Sequence, residues 1–215
     1  MRYVTVPGYG GSGVEHWQTH WERDLPATRF RPASWDTPDA RDWADALDRV
    51  VADGEGPVVL LAHSLGCLAV ASWLAEVPRR DGRGSGGRRR DGREPGEVAG
   101  ALLVAVPDPA GPAFPAGATA GGFRAVRRRL PVPVTVVVSD DDPYASPAWV
   151  RGLAAVWGAE AVGIGPAGHV NGASGLGVWP AGREILRHLV RPRPPASATS
   201  AAATSATADT ANAVV

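Results

Sequence analysis

The chain of 215 residues contains no lysine; its 22 basic residues are all arginine, balanced by 22 acidic ones. A formal net charge of zero supplies no global field for nucleic acid or an anionic membrane surface, and neither is expected as a partner. Cysteine occurs once, at Cys67. That excludes an intramolecular disulfide and, alone, argues for no metal centre. Apolar runs of membrane-spanning length are missing, and the first strand candidate begins at Arg2, where a signal peptide would need a charged and then an apolar region. A soluble, cytoplasmic protein is expected. Phenylalanine and tyrosine are scarce, three of each, whereas tryptophan occurs eight times. Trp17, Trp35, Trp43, Trp73, Trp149, Trp157 and Trp179 fall at spacings more typical of core positions than of a pocket lining.

What is present is 44% hydrophobic residues in short runs, enough for one domain. Runs at 3–6, 28–31, 58–62, 101–106, 132–138 and 161–164 read as strands, with helices expected at 17–25, 40–52, 65–77, 122–130, 147–157 and 180–190. Ser146 followed by Pro147 marks the start of the fifth helix. This alternation predicts an α/β fold, an open and mostly parallel sheet of about six strands with helices on both faces. Residues 1–190 are expected to form that domain. Two segments stand outside the scheme: 79–97, rich in Gly and Arg and almost free of apolar side chains, reads as a flexible surface insertion, and 191–215, mostly Ala, Ser and Thr, as a disordered tail.

The run VVLLAHSLGCLAVASWL, residues 58–74, leads from a buried strand straight into a helix. Ala62-His63-Ser64-Leu65-Gly66 at the junction has the form of a nucleophile elbow, with Ala62 where the motif carries its first glycine. Taken alone, Ser64 also reads as an ordinary helix cap. Two further residues change the weight: Asp140-Asp141-Asp142 follows the strand ending at Val138, and His169 follows the strand ending at Ile164. Ser, Asp, His is the order of a hydrolase triad, each just past a strand's carboxyl end, where open α/β sheets collect their chemistry. Topology does not choose among the three aspartates. Pro143 restrains the residue before it to extended conformations, which favours Asp142 as the acid that orients His169.

Gly8-Tyr9-Gly10-Gly11-Ser12-Gly13 matches G-x-G-x-x-G after a strand, and Asp36 stands at a nominal ribose-binding distance along the chain. Pro7 at the junction and the bulky Glu15-His16-Trp17 argue against a tightly packed dinucleotide turn. A glycine-rich loop that aims backbone N–H groups at an oxyanion is the expected alternative. No cofactor is expected.

These segments resemble the small bacterial and animal serine hydrolases of the YdeN and retinoblastoma-binding-protein-nine type, α/β-hydrolases with no large lid. The resemblance rests on Pro7-Gly8-Tyr9, His16-Trp17 and Trp21, the elbow at 62–66, LVAVPD at 103–108, and GHVNGASGLGVWPAG at 168–182. It spans roughly residues 2–190. It implies Ser64 as nucleophile, His169 as base, an acid placed directly before the proline, hence Asp142, and oxyanion donors at the Tyr9 and Leu65 backbone. The expected activity is cleavage of a carboxylic ester or related acyl bond of a small substrate. A non-catalytic binding protein on the same scaffold and an acyltransferase are the competing readings.

Overall fold

Strands buried on both faces need runs without polar alternation, and VVLLAH, Val58–His63, is buried at every position. In the computed structural model, which describes residues 1–81 and 97–191 and only the backbone of 77–81, this segment is β3, next to the centre of a six-stranded sheet. The order of elements is β1 (Arg2–Val6), α1 (Trp17–Asp24), β2 (Ala27–Arg29), α2 (Ala40–Ala52), β3, α3 (Leu65–Asp81), β4 (Val98–Val104), α4 (Ala116–Ala120), β5 (Val134–Val138), α5 (Pro147–Trp157), β6 (Glu160–Gly163) and α6 (Pro180–Leu189). The sheet order is β2-β1-β3-β4-β5-β6, and every pairing is parallel. The chain order reverses between β1 and β3, which opens a crevice at their carboxyl ends.

The two-residue period of the strands divides the core. Val58, Leu60 and Ala62, with Ala101 and Leu103, face α2, α3 and α5 through Trp43, Leu47, Leu68 and Trp157. Val59, Leu61, Leu102 and Val104 face Trp17, Trp21, Leu186 and Leu189 of α1 and α6. Among the described residues no helix is long and apolar enough to cross a membrane.

One expected helix does not form. Phe123, Val126 and Leu130 have helical spacing, yet residues 122–130 are irregular, and the helix of this connection is the five-residue α4. Gly121-Gly122 interrupts the segment before the apolar positions begin. Its backbone finds partners on α5 instead: Leu130 N donates to Trp157 O at 3.0 Å, and Trp157 Nε1 donates to Val126 O at 2.8 Å. β4 ends at Val104 rather than 106 because Ala105 turns to a φ of 57°, which no strand accommodates. The tail expected at 191–215, apart from Arg191, and most of the insertion at 79–97 lie outside the described residues.

Candidate active site

β3 passes into α3 with a single residue between them, and that residue, Ser64, adopts a φ of 51°. A left-handed conformation is costly for a non-glycine residue and persists only where the surroundings hold it. Here Ser64 N donates to Val104 O at 3.0 Å, while Ser64 O accepts from Cys67 N at 2.8 Å. Val104 O also accepts from Cys67 Sγ at 3.3 Å; Cys67 is buried, and burial pushes its thiol pKa up, so it serves as core. Gly66 lets β1 lie against the bend, since a Cβ there would stand 2.3 Å from Val6 O and 2.6 Å from Pro7 O. Both atoms are backbone and cannot swing aside. Gly66→Ala is therefore expected to destabilise the fold by about 3 kcal/mol or more, read as a lower urea midpoint at constant slope.

The glycine-rich loop after β1 comes as close. A Cβ on Gly8 would meet Ser64 Cβ at 2.8 Å. Polar groups hold the loop from behind: Arg29 Nη1 donates to Ser12 O at 2.9 Å, Thr19 Oγ1 to Gly13 O at 2.7 Å, and Gly10 N to Trp35 O at 3.0 Å. Gly13, at the third glycine position of the G-x-G-x-x-G motif, would have its Cβ in open space. It thus lacks the tight helix-to-strand contact that a dinucleotide fingerprint demands, and Asp36 is exposed. Tyr9 and Leu65 both line a cavity of about 170 Å³ together with Ser64 and His169. Among the described residues neither the Tyr9 nor the Leu65 N–H has a hydrogen-bond partner.

His169 reaches the same cavity from the loop after β6. Its Nε2 lies 2.7 Å from Ser64 Oγ, and its Nδ1 lies 2.9 and 3.0 Å from the two oxygens of Asp142. The Asp142 side chain is 4% exposed. The neighbouring aspartates are placed differently. Asp141 Oδ1 accepts from Gly168 N at 2.7 Å, Ala167 N at 2.8 Å and Ser139 Oγ at 2.9 Å, and the Gly168 N–H above all holds its pKa below the usual value. Asp140 is exposed, and its N–H donates to Gly165 O. Asp141 thus ties down the loop that carries His169, whereas Asp142 meets the ring.

The tryptophans of α1 fix that loop from its other side. Trp17 Nε1 donates to Val170 O at 3.1 Å and Trp21 Nε1 to Val178 O at 2.9 Å. Trp17 also packs its ring edge-on against Trp179. Val170 itself has a φ of 49°, strained for a β-branched residue, so left-handed residues stand at both ends of the Ser64–His169 contact. None of the tryptophans lines the cavity; Trp17, Trp21, Trp43, Trp157 and Trp179 are buried.

Two histidines next to the contact were not singled out in the sequence. His63 Nε2 donates to His169 O at 2.8 Å, and the His16 and His63 rings meet edge-on at 4.6 Å. His16 caps α1, its Nδ1 accepting from Gln18 N at 3.2 Å. The sequence carried His16 only within the His16-Trp17 piece of the resemblance and His63 only within the elbow, with no role given to either. Both rings are held neutral: burial, with Arg29 and His169 adding to it, lowers His16 to about 4, and burial takes His63 well below its ordinary value. Among the described residues no group of three or more His, Cys, Asp or Glu side chains is arranged to hold a metal ion.

The neutral histidines make stability pH-dependent in a definite direction. Unfolding lets them bind protons below about 6.5, whereas the folded protein leaves His16 unprotonated down to about 4. The stability contributed is fully present above 6.5 and is lost as pH falls through this window, at up to about 1.4 kcal/mol per pH unit for each histidine. Urea midpoints should accordingly fall from pH 7 to pH 4.5. A flat profile over that range would contradict the burial.

A larger groove, about 680 Å³, runs beside α2, α3 and residues 120–124, but no histidine lines it. Comparisons with known proteins bear on the family and the fold. A family model described as serine hydrolase matches residues 3–188. Among solved structures, a YdeN-like hydrolase from Pectobacterium atrosepticum is 31% identical, with 87% of this chain and 89% of that one covered and a TM-score of 0.70. The ydeN gene product of B. subtilis is 18% identical, covering 88% and 98%, with a TM-score of 0.62. RedJ, a thioesterase from the prodiginine biosynthetic pathway of Streptomyces coelicolor, has the same fold at 16% identity, with 88% and 89% covered and a TM-score of 0.54. No curated protein matches the chain in sequence.

Proposed function

The chain belongs to the serine hydrolase family, and we propose that within it the protein cleaves a carboxylic ester, or a related acyl bond, of a small substrate through Ser64, His169 and Asp142. The observation that carries this reading is the continuous contact from Ser64 Oγ to His169 Nε2 at 2.7 Å and from His169 Nδ1 to Asp142 at 2.9 Å. Asp142 accepts a hydrogen bond from Nδ1–H and keeps the proton on Nδ1, which leaves Nε2 as the acceptor facing the serine hydroxyl. Ser64 Oγ attacks the acyl carbon as its proton passes to Nε2. The carbonyl oxygen becomes an oxyanion beside the free N–H groups of Tyr9 and Leu65, donors that need no reorganisation as charge develops. Collapse breaks the bond to the leaving group, which takes the proton from Nε2. Water, giving its proton to Nε2, then attacks the acyl-enzyme; the acid is released and Ser64 recovers its proton.

Cavity size supports a small substrate. An interior void of about 150 Å³ holds a benzene molecule, and the cavity at Ser64 is about 170 Å³. That is room for one short acyl or alcohol group. One wall is apolar, from Leu65, Pro107, Phe114 and Pro115. A fluorophosphonate probe tests the reading directly: the wild-type protein should be labelled at Ser64, and labelling elsewhere, or none, would count against it.

A further inference from the structure

His16 has no part in the reaction just described, yet it is built into the cavity wall. It is 4% exposed and lines the cavity with Ser64, His169 and Asn171. Its orientation is fixed twice over: Nδ1 caps α1 by accepting from Gln18 N, and the ring packs on His63 at 4.6 Å and on Trp17 at 5.5 Å. Because Nδ1 is an acceptor and the ring is neutral, the ring proton sits on Nε2. Nε2 is buried and has no hydrogen-bond partner among the described residues. Of the buried side-chain nitrogens in that condition, only this one belongs to a residue lining the cavity, and because it is closed to solvent there, a ligand oxygen reaches it only by displacing atoms of the wall. A flip of the ring would strip the cap from α1. Buried donors are nearly always paired, and an unpaired one bears a desolvation penalty that an acceptor on a ligand would remove.

We propose that His16 Nε2–H is a substrate-binding donor that selects esters carrying an acceptor oxygen, such as an ether or carbonyl oxygen, beside the scissile group. The inference rests on the proposed hydrolase reaction at Ser64 and adds its specificity. The acceptor belongs to either the acyl part or the alcohol part, and the shared chemistry is an oxygen lone pair where a hydrocarbon substrate presents a methylene. A methylene leaves the donor buried and unpaired, so discrimination comes from the mismatch as much as from the bond.

Two isosteric ester pairs test this. In the acyl arm p-nitrophenyl methoxyacetate is compared with p-nitrophenyl butyrate, and in the alcohol arm 2-methoxyethyl butyrate with butyl butyrate. Each kcat/KM is divided by the rate constant of the same ester with hydroxide, which removes intrinsic reactivity. The wild-type protein should favour the ether member about tenfold in one arm, and the arm that responds identifies the part that meets His16. His16→Asn and His16→Ser keep a side-chain oxygen to cap α1 and remove the imidazole donor. In either variant the corrected ratio should fall to within about threefold of one. A wild-type ratio near one in both arms overturns the proposal, whether or not the variants fold. So does an equal loss on both members of the responding pair, which is what a purely structural role would give. Failure of the hydrolase reading is separate: it would appear as ester cleavage that survives loss of Ser64, whatever the ratio.

Discussion

Ser64→Ala is expected to lower kcat on a short p-nitrophenyl ester by about 10⁴–10⁶, with the thermal midpoint within a few degrees of wild type. The size of the loss follows from what is removed. Without Oγ no acyl-enzyme forms, and His169 and Asp142 have no nucleophile to serve; the residue left behind presents an apolar methyl in place of the hydroxyl that lies 2.7 Å from Nε2. Some rate over bulk water is expected to remain, because the proposed donors at Tyr9 and Leu65, two residues of the cavity wall, would still favour charge on a carbonyl oxygen. Stability should hardly change, since alanine meets the same backbone demand at φ 51° and the Ser64 N and O bonds are main-chain. A loss of only a few-fold would remove the nucleophile assignment. It would also revive the reading as a binding module, for which Ser64 is merely the residue at a bend. Product analysis of the wild-type protein with added alcohols separates hydrolysis from acyl transfer, because both reactions need Ser64 and differ only in what resolves the acyl-enzyme.

The legible parts of this protein are those where local chemistry and tertiary position agree. Helix α5 begins where Ser146 and Pro147 announce it, with Ser146 Oγ accepting from Trp149 N, and α2 spans the expected 40–52. Ser64 and His169 were legible for a similar reason: each follows a recognisable buried strand, and a parallel sheet gathers such positions at one edge. Residues 122–130 misled because helical spacing of Phe123, Val126 and Leu130 is necessary for an amphipathic helix without being sufficient; the hydrogen bonds offered by Trp157 decided the matter, and no local pattern reveals them. His16 was hidden for a different reason. A lone histidine before a helix has the same local signature whether its ring points to water or into a cavity, and its companion His63 lies 47 residues away along the chain although their rings touch. Only the fold joins them.

Asp142→Asn should lower kcat by up to about 10⁴, the scale of the same exchange in a serine protease triad. The carboxylate accepts a hydrogen bond from His169 Nδ1–H through two nearly equal contacts, 2.9 and 3.0 Å, in a place where its side chain is only 4% exposed. An amide keeps the shape and one acceptor oxygen but offers an N–H as well. If that N–H turns to Nδ1, the ring proton moves to Nε2, and the group facing Ser64 Oγ becomes a donor that cannot take the serine proton. The amide also no longer balances the imidazolium that forms in the transition state. Proline at 143 and the bond from Tyr144 N to Asp142 Oδ1 at 2.9 Å hold this side chain in place, so the variant should fold normally while reacting poorly. Asp140→Asn should be nearly silent, because Asp140 is exposed. Asp141→Asn should fall between, losing rate through a looser His169 loop, since one Asp141 oxygen gathers the N–H groups of Ala167 and Gly168. Comparing kcat of the three single variants on one ester decides among them. If Asp141→Asn were the crippling change and Asp142→Asn stayed near wild type, the acid would be the residue one position earlier, and the contact with His169 would not be the one that matters for turnover.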